Sequence, residues 1–356
     1  MRIVRTSASE SVVPVAIPAS LGGVAHTTYA GEMTPAWHST DRADLAAVRA
    51  ELVGWIPAAL DSPLYTMLAT RMLDDDAMLR LVSRIDNMPP LNLLFGAVQL
   101  LLGGPMPQFA YAEFRDFVFA NEEQIVEIGC TRRTQTNEVR RAAVILPWVA
   151  NAAAAFGDQP VHAIDIGASA GLVTCLDRYA YDYGDDIVGD SLLVLTCENR
   201  GRFQVPDAVP TFASRTALDL VPVDVDDPDQ VAWLEALIWP EHTQRLERFR
   251  EALAIRRATE VDVIAGDAAE TLLQASAAHP DGALLVWHTI ALYQMPPAHH
   301  DALDAVIAEL ASQRPVARVS FEPPPGRDPD VRVGLRPRVA TPVAAAHPHG
   351  AWLDQP

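Results

Sequence analysis

Residues 161–172 read V-H-A-I-D-I-G-A-S-A-G-L, and five of them, Gly167-Ala168-Ser169-Ala170-Gly171, satisfy two different patterns. As G-x-S-x-G they describe the sharp strand-to-helix turn that lifts a nucleophilic serine, here Ser169. With Asp165 in front, D-x-G-x-x-x-G describes a glycine turn where a parallel sheet receives a nucleotide-like cofactor. The surrounding chain decides between them.

Residues 1–38 show no period and read as a loose arm. From 39 to 156 the pattern is helical. Asp41 to Asp44 reads as a cap before Leu45, Val48, Leu52 and Ile56, and Ser62-Pro63 opens a second helix. Further helices are expected around 74–86, 91–102, 110–128 and 136–155. No strand precedes residue 160. Then short apolar runs alternate with helical patterns: Val161–Ile166, Leu192–Cys197, Val261–Ala265, Ala283–Trp287 and Val316–Phe321. Helices are expected between them at about 171–180, 228–256, 268–278 and 297–312. That alternation implies right-handed crossovers and a parallel sheet. Val331–Leu335 and Val339–Ala346 are expected to close the sheet as an antiparallel pair.

A serine hydrolase reaches its nucleophile only after several strands, one of which carries the oxyanion loop. Here the turn follows the first strand, so topology favours the cofactor turn and leaves Ser169 as the lesser reading. The expected strand ends supply a polar series on one rim: Asp165 and Gly167, then Glu198, then Gly266-Asp267-Ala268, then His288, then Glu322. Glu198, ending the second strand, suits the two hydroxyls of a ribose, and Asp267 suits an exocyclic amine. Gly167 and Gly171 allow close backbone approach, and Ala168, Ser169 and Ala268 complete the cofactor lining. Each residue alone has a plainer reading, such as a tight turn at the glycines, a helix cap at Asp267 or a solvated acid at Glu198.

The series Asp165-x-Gly167…Gly171, Glu198, Asp267 resembles the S-adenosylmethionine site of class I methyltransferases, with Ser169 replacing the usual middle glycine. More closely, the chain from about residue 45 to its end resembles a largely actinobacterial domain-of-unknown-function family. Arg132-Arg133-x-Gln135-Thr136-Asn137-Glu138-Val139-Arg140-Arg141, the 165–172 turn and Leu195-Thr-Cys-Glu198 carry that resemblance. Trp239-Pro-Glu241, Gly266-Asp-Ala268, His288-Thr289 and His347-Pro-His-Gly350 extend it. The family's D-L-N-P-x-D stands here as Asp219-Leu-Val-Pro-Val-Asp224, so Val221 departs from it. The resemblance implies an α/β fold: a Rossmann-like class I methyltransferase core over 157–356, with a helical cap over 39–156 and a helical insertion at about 202–258.

Asn137 and Arg140 are placed by this reading above the cofactor, Asn137 as a catalytic candidate and Arg140 as a fork for the methionyl carboxylate. His288 is the leading candidate base and Glu322 the second, against plainer readings as a buried structural histidine and a surface acid. The expected function is S-adenosylmethionine-dependent transfer to a small molecule, most simply of a methyl group. The other readings are aminocarboxypropyl transfer or cyclisation releasing methylthioadenosine, and a non-catalytic adenosine-ligand-binding module.

Composition narrows the partners. The formal net charge is −19 and all 27 basic residues are arginine, so a nucleic-acid partner is disfavoured. Without lysine there is no phosphate-loop lysine and no Schiff base. The arginine-only, alanine-rich chain fits a GC-rich bacterial genome. Cys130, Cys175 and Cys197 lack metal or disulfide spacing, and His299-His300 and His347-x-His349 lack a third ligand, so no metal is expected. The most apolar run, 142–156, is too short for a membrane span, and a cytoplasmic protein is the expectation.

Overall fold

The computed structural model describes residues 44–184, 186–323, 330–334 and 342–355. The arm over 1–38, the first residues of the expected cap and part of the closing hairpin lie outside them.

Six helices build the cap: α1 (Leu45–Trp55), α2 (Pro63–Met72), α3 (Asp76–Ser83), α4 (Pro90–Leu102), α5 (Tyr111–Ala120) and α6 (Glu122–Thr131). Asp44, Ser62 and Asp75 cap the first three by accepting main-chain N–H groups. The single helix expected over 110–128 is two, broken at Asn121, whose φ of −121° and ψ of 22° are not helical. Phe95 sits at the centre of the cap core and stacks on Tyr65 with ring centroids 4.1 Å apart. Helix α7 (Arg141–Ala155) does not belong to this bundle. Its apolar face is buried with Trp287, Phe321 and Leu353 in the core against the sheet, so the cap ends before α7 rather than at residue 156.

Beyond α7 come β1 (Val161–Ile166), β2 (Ala180–Asp182), β3 (Ile187–Val188), β4 (Val194–Thr196), β5 (Glu198–Asn199), β6 (Ser214–Asp219), β7 (Asp262–Ala265), β8 (Ala283–Thr289), β9 (Val316–Glu322), β10 (Asp330–Gly334), β11 (Pro342–Ala346) and β12 (Trp352–Asp354). The large sheet runs β5-β12-β11-β10-β9-β8-β1-β6-β7. Strands β7, β6, β1, β8 and β9 are parallel, while β10, β11 and β12 continue antiparallel. β2, β3 and β4 form a separate small sheet.

The neighbour of β1 is therefore β6, not the Leu192–Cys197 run. That run contributes only β4 to the small sheet, with Leu195 inward and Leu192 fully exposed. β6 escapes an apolar scan because two of its buried positions are Arg215 and Thr216. Arg215 is buried at no net charge because both its Nε and Nη2 reach Asp177. It follows that 202–258 is not one insertion. The helical part, α8 (Pro228–Ala236) and α9 (Thr243–Ala258), follows β6 and precedes β7.

The helix expected over 171–180 is a 3₁₀ segment, Val173–Arg178, with Cys175 out of helical geometry. Tyr179 donates its hydroxyl to Leu172 O and Tyr181 to Leu176 O, taking carbonyls that an α-helix would use itself. α8 leaves the sheet and inserts Trp233 into the cap core. The Trp233 indole donates to Arg133 O, and buried Gln99 of α4 donates to Ala236 O and Ile238 O. α10 (Ala268–Ala278) and α11 (Pro297–Gln313) complete the second face of the sheet.

Candidate functional site

Sequence order reverses at β1: β6 and β7 lie to one side and β8 and β9 to the other. Ligands of open α/β sheets bind beyond the C-terminal strand ends at such a point. The glycine turn stands there. Gly167, Ser169 and Gly171 have φ of 73°, 52° and 71°, and the N–H groups of Gly167 and Ala168 both donate to Leu218 O on β6.

Asp219, the last residue of β6, organises this rim. One carboxylate oxygen accepts Ser169 N–H at 2.8 Å and the other accepts Val221 N–H at 2.9 Å. The 132–141 stretch lies across both loops. The Ser169 hydroxyl donates to Gln135 Oε1 at 3.1 Å and accepts from Asn137 Nδ2 at 2.9 Å. Asn137 Oδ1 accepts Ala170 N–H, and Gln135 Nε2 donates to Val221 O. Ser169 thus has the positive φ of an exposed nucleophile but two amide partners, and among the described residues no imidazole bonds its hydroxyl. Asn137 thus bonds both the Ser169 hydroxyl and the Ala170 N–H of the glycine turn.

Other expected site residues take structural roles. Asp165 lies beneath the turn, 2% exposed, and accepts the Thr174 hydroxyl at 2.8 Å. Burial raises its pKa to about 7. Glu198 is not on the rim. It belongs to β5 at the far edge of the sheet, pairs with Arg200, and that arginine holds its carboxyl below the ordinary range. The strand end beside β1 belongs instead to Asp219, because β6 and not the Leu192–Cys197 run is the neighbour of β1. Asp267 follows β7 by two residues, and there it caps α10 by accepting Ala269 N–H at 2.9 Å, with His299 Nδ1 2.8 Å from its second oxygen. Ala268 is the first residue of that helix.

Gly167 and Gly171 permit close approaches, but of protein atoms. A Cβ on Gly167 would lie 2.3 Å from Ala291 Cβ, and one on Gly171 2.9 Å from Arg256 Nε. Ala291 follows Ile290, itself at φ 51°.

His288 and Glu322 end β8 and β9 as expected, yet neither is poised as a base. His288 is 1% exposed with both ring nitrogens engaged: Arg318 Nε donates to Nε2 at 3.0 Å, so Nδ1 carries the proton that goes to Glu322 at 2.7 Å. Burial holds its pKa below the ordinary value. Glu322 also accepts the N–H groups of Ala291 and Leu292 at 3.0 and 3.1 Å. Burial pushes its carboxyl up, but His288 and these amides outweigh it and the net pKa is lowered. The pair anchors the loop that covers Gly167. Arg140, expected over the cofactor, has its Nε 3.9 Å from Glu138.

A model of a bacterial family of uncharacterised conserved proteins, DUF2332, matches residues 49–355. The chain belongs to the DUF2332 family. No curated protein matches it. The DUF2332 match runs through cap, glycine turn and closing strands alike, so cap and sheet form one family unit. Among the described residues, no helix of this DUF2332 member is long and apolar enough to cross a membrane. Nor does any group of three or more His, Cys, Asp or Glu among them stand ready to hold a metal ion.

Proposed function

We propose that this protein is an S-adenosylmethionine-dependent transferase acting on a small molecule, with the cofactor bound over the ends of β1 and β6. The observation that carries the reading is the strand order β7-β6-β1-β8-β9, followed by a reversed strand, with a glycine turn ending β1 and Asp219 ending β6. An ionised carboxylate offers about four acceptor positions. Asp219 uses two on Ser169 and Val221, which leaves two for the hydroxyls of a ribose.

The sulfonium supplies an electrophilic carbon and a good leaving group, so the chain has to position rather than activate. Gln135 and Asn137 close over the turn and hold it rigid. His288 and Glu322 act as positioning residues that fix the 290–292 loop against Gly167. Methyl transfer is the leading reaction.

Incubation of the purified protein with S-adenosylmethionine and bacterial small-molecule extracts, followed by mass spectrometry, tests this. S-adenosylhomocysteine is the expected product, and methylthioadenosine instead marks attack on the aminocarboxypropyl arm. Neither product from any extract contradicts a transferase.

A further inference from the structure

The start of α7, the helix α9 and the turn between β11 and β12 bring four arginines to one buried carboxylate. Arg245 Nε lies 2.9 Å from Glu138 Oε2 and Arg140 Nε lies 3.9 Å from Glu138 Oε1. Neither contact has hydrogen-bond alignment, and the Nε groups of Arg140, Arg245 and Arg248 are all buried without a hydrogen-bond partner. Arg141 is fully committed differently, donating to Pro348 O and Thr289 O. Glu138 is 1% exposed, Arg245 10% and Arg140 19%, so the cluster is sunk in the protein yet reachable along its arginine edges.

The charges do not balance. Arg140 and Arg245 contact Glu138, and Arg141 and Arg248 lie within its field. Glu322, also felt by Arg141, is engaged by His288 and by main-chain amides, and Glu247 is exposed. Burial pushes Arg141 down to about 10, and burial with its arginine neighbours keeps His349 well below the ordinary histidine range and hence neutral. A buried cation without a counter-charge is costly, and orphaned buried N–H groups are rare in folded chains. This excess of positive charge stands in a chain of net charge −19.

We infer that this cluster is a binding site for an oxyanion, a carboxylate or phosphate group of a small-molecule ligand, held by Arg245 and Arg248 with Arg140. Guanidinium forks match either group in two-point geometry. The site is independent of the cofactor proposal, because it is argued from charge and burial and can be measured without S-adenosylmethionine. It also gives a role to the His347-Pro-His-Gly350 motif, whose Pro348 carbonyl and neutral His349 close the back of the cluster.

The test is melting temperature against sodium phosphate and sodium acetate at constant ionic strength, with chloride as the balance. A saturable rise specific to one of these anions is expected, and whichever acts names the group. Arg245→Gln and Arg248→Gln should weaken it by about tenfold or more. Arg250→Gln, on the same helix but paired with Glu235 at the surface, should leave it unchanged. Glu138→Gln should strengthen it by removing the competing carboxylate. If Arg245→Gln does not fold, Arg248→Gln carries the comparison. Melting temperatures that follow ionic strength alone, or an anion response equal in wild type and Arg248→Gln, overturn the inference. An S-adenosylmethionine titration of Arg248→Gln then assigns the source: weakened binding assigns the anion to the cofactor's carboxylate, unchanged binding to a second ligand.

Discussion

Asp165, one residue before the end of β1, has its carboxyl sealed beneath the glycine turn, and its proton is held to about pH 7 rather than the ordinary 3.8. Between those values the folded chain binds more protons than the unfolded one, so this group's contribution to stability falls as pH rises. The gap of about three pH units corresponds to roughly 4 kcal/mol. Asp165→Asn keeps an acceptor for Thr174 and removes the titration. Urea unfolding at pH 4.5 and pH 8 should show the variant gaining about 2–4 kcal/mol relative to wild type at the higher pH. A gap that does not change with pH contradicts the burial argument. Gly167 offers a second test. Alanine there meets Ala291 and must hold a φ of 73°, so Gly167→Ala should cost about 2 kcal/mol or more. Adding Ala291→Gly should return part of that loss in a double-mutant cycle, and strict additivity of the two changes would refute the contact.

At the scale of elements, Glu322 ties β9 to the loop after β8 by accepting two main-chain N–H groups and the His288 proton. Glu322→Ala leaves those donors unpaired in a buried place and should lower stability by about 2–4 kcal/mol in denaturant titration. Full retention of stability would show that the loop does not depend on it. The same elements show what the sequence disclosed. β1, β8 and β9 were legible because parallel strands buried on both faces read as apolar runs. β6 was not, because Arg215 is buried opposite Asp177 and a sequence carries no sign of its distant partner. With β6 hidden, the acid expected beside β1 became Glu198 instead of Asp219. The break at Asn121 was hidden because two short helices on one apolar face share a single period. The roles of His288 and Glu322 were hidden for another reason. Strand ends placed both on the rim, but a sequence does not show that the neutral His288 donates its proton to Glu322.

At the scale of the molecule, cap and sheet are interlocked rather than linked by a tether. α8 leaves the sheet to place Trp233 in the cap core, and the 132–141 stretch leaves the cap to grip the glycine turn. Glu241, just after Trp239-Pro240, accepts Ser62 Oγ and Leu64 N–H at the start of α2. Such cross-bracing predicts one cooperative transition shared by cap and sheet. Trp233→Ala should lower the midpoint by an amount equivalent to about 3–5 kcal/mol in both cap and sheet, followed by hydrogen exchange. Loss of cap protection with the sheet untouched would contradict the interlock.

We propose that the rim of β1 and β6 receives S-adenosylmethionine through Asp219. Isothermal titration of wild type and Asp219→Asn, with folding of both checked by circular dichroism, tests it most directly. Micromolar binding by wild type is expected, with affinity lower by about tenfold or more in the variant, since each lost charge-assisted hydrogen bond is worth roughly 1.5–3 kcal/mol. No heat of binding from folded wild-type protein, or equal affinity in the two, would contradict it.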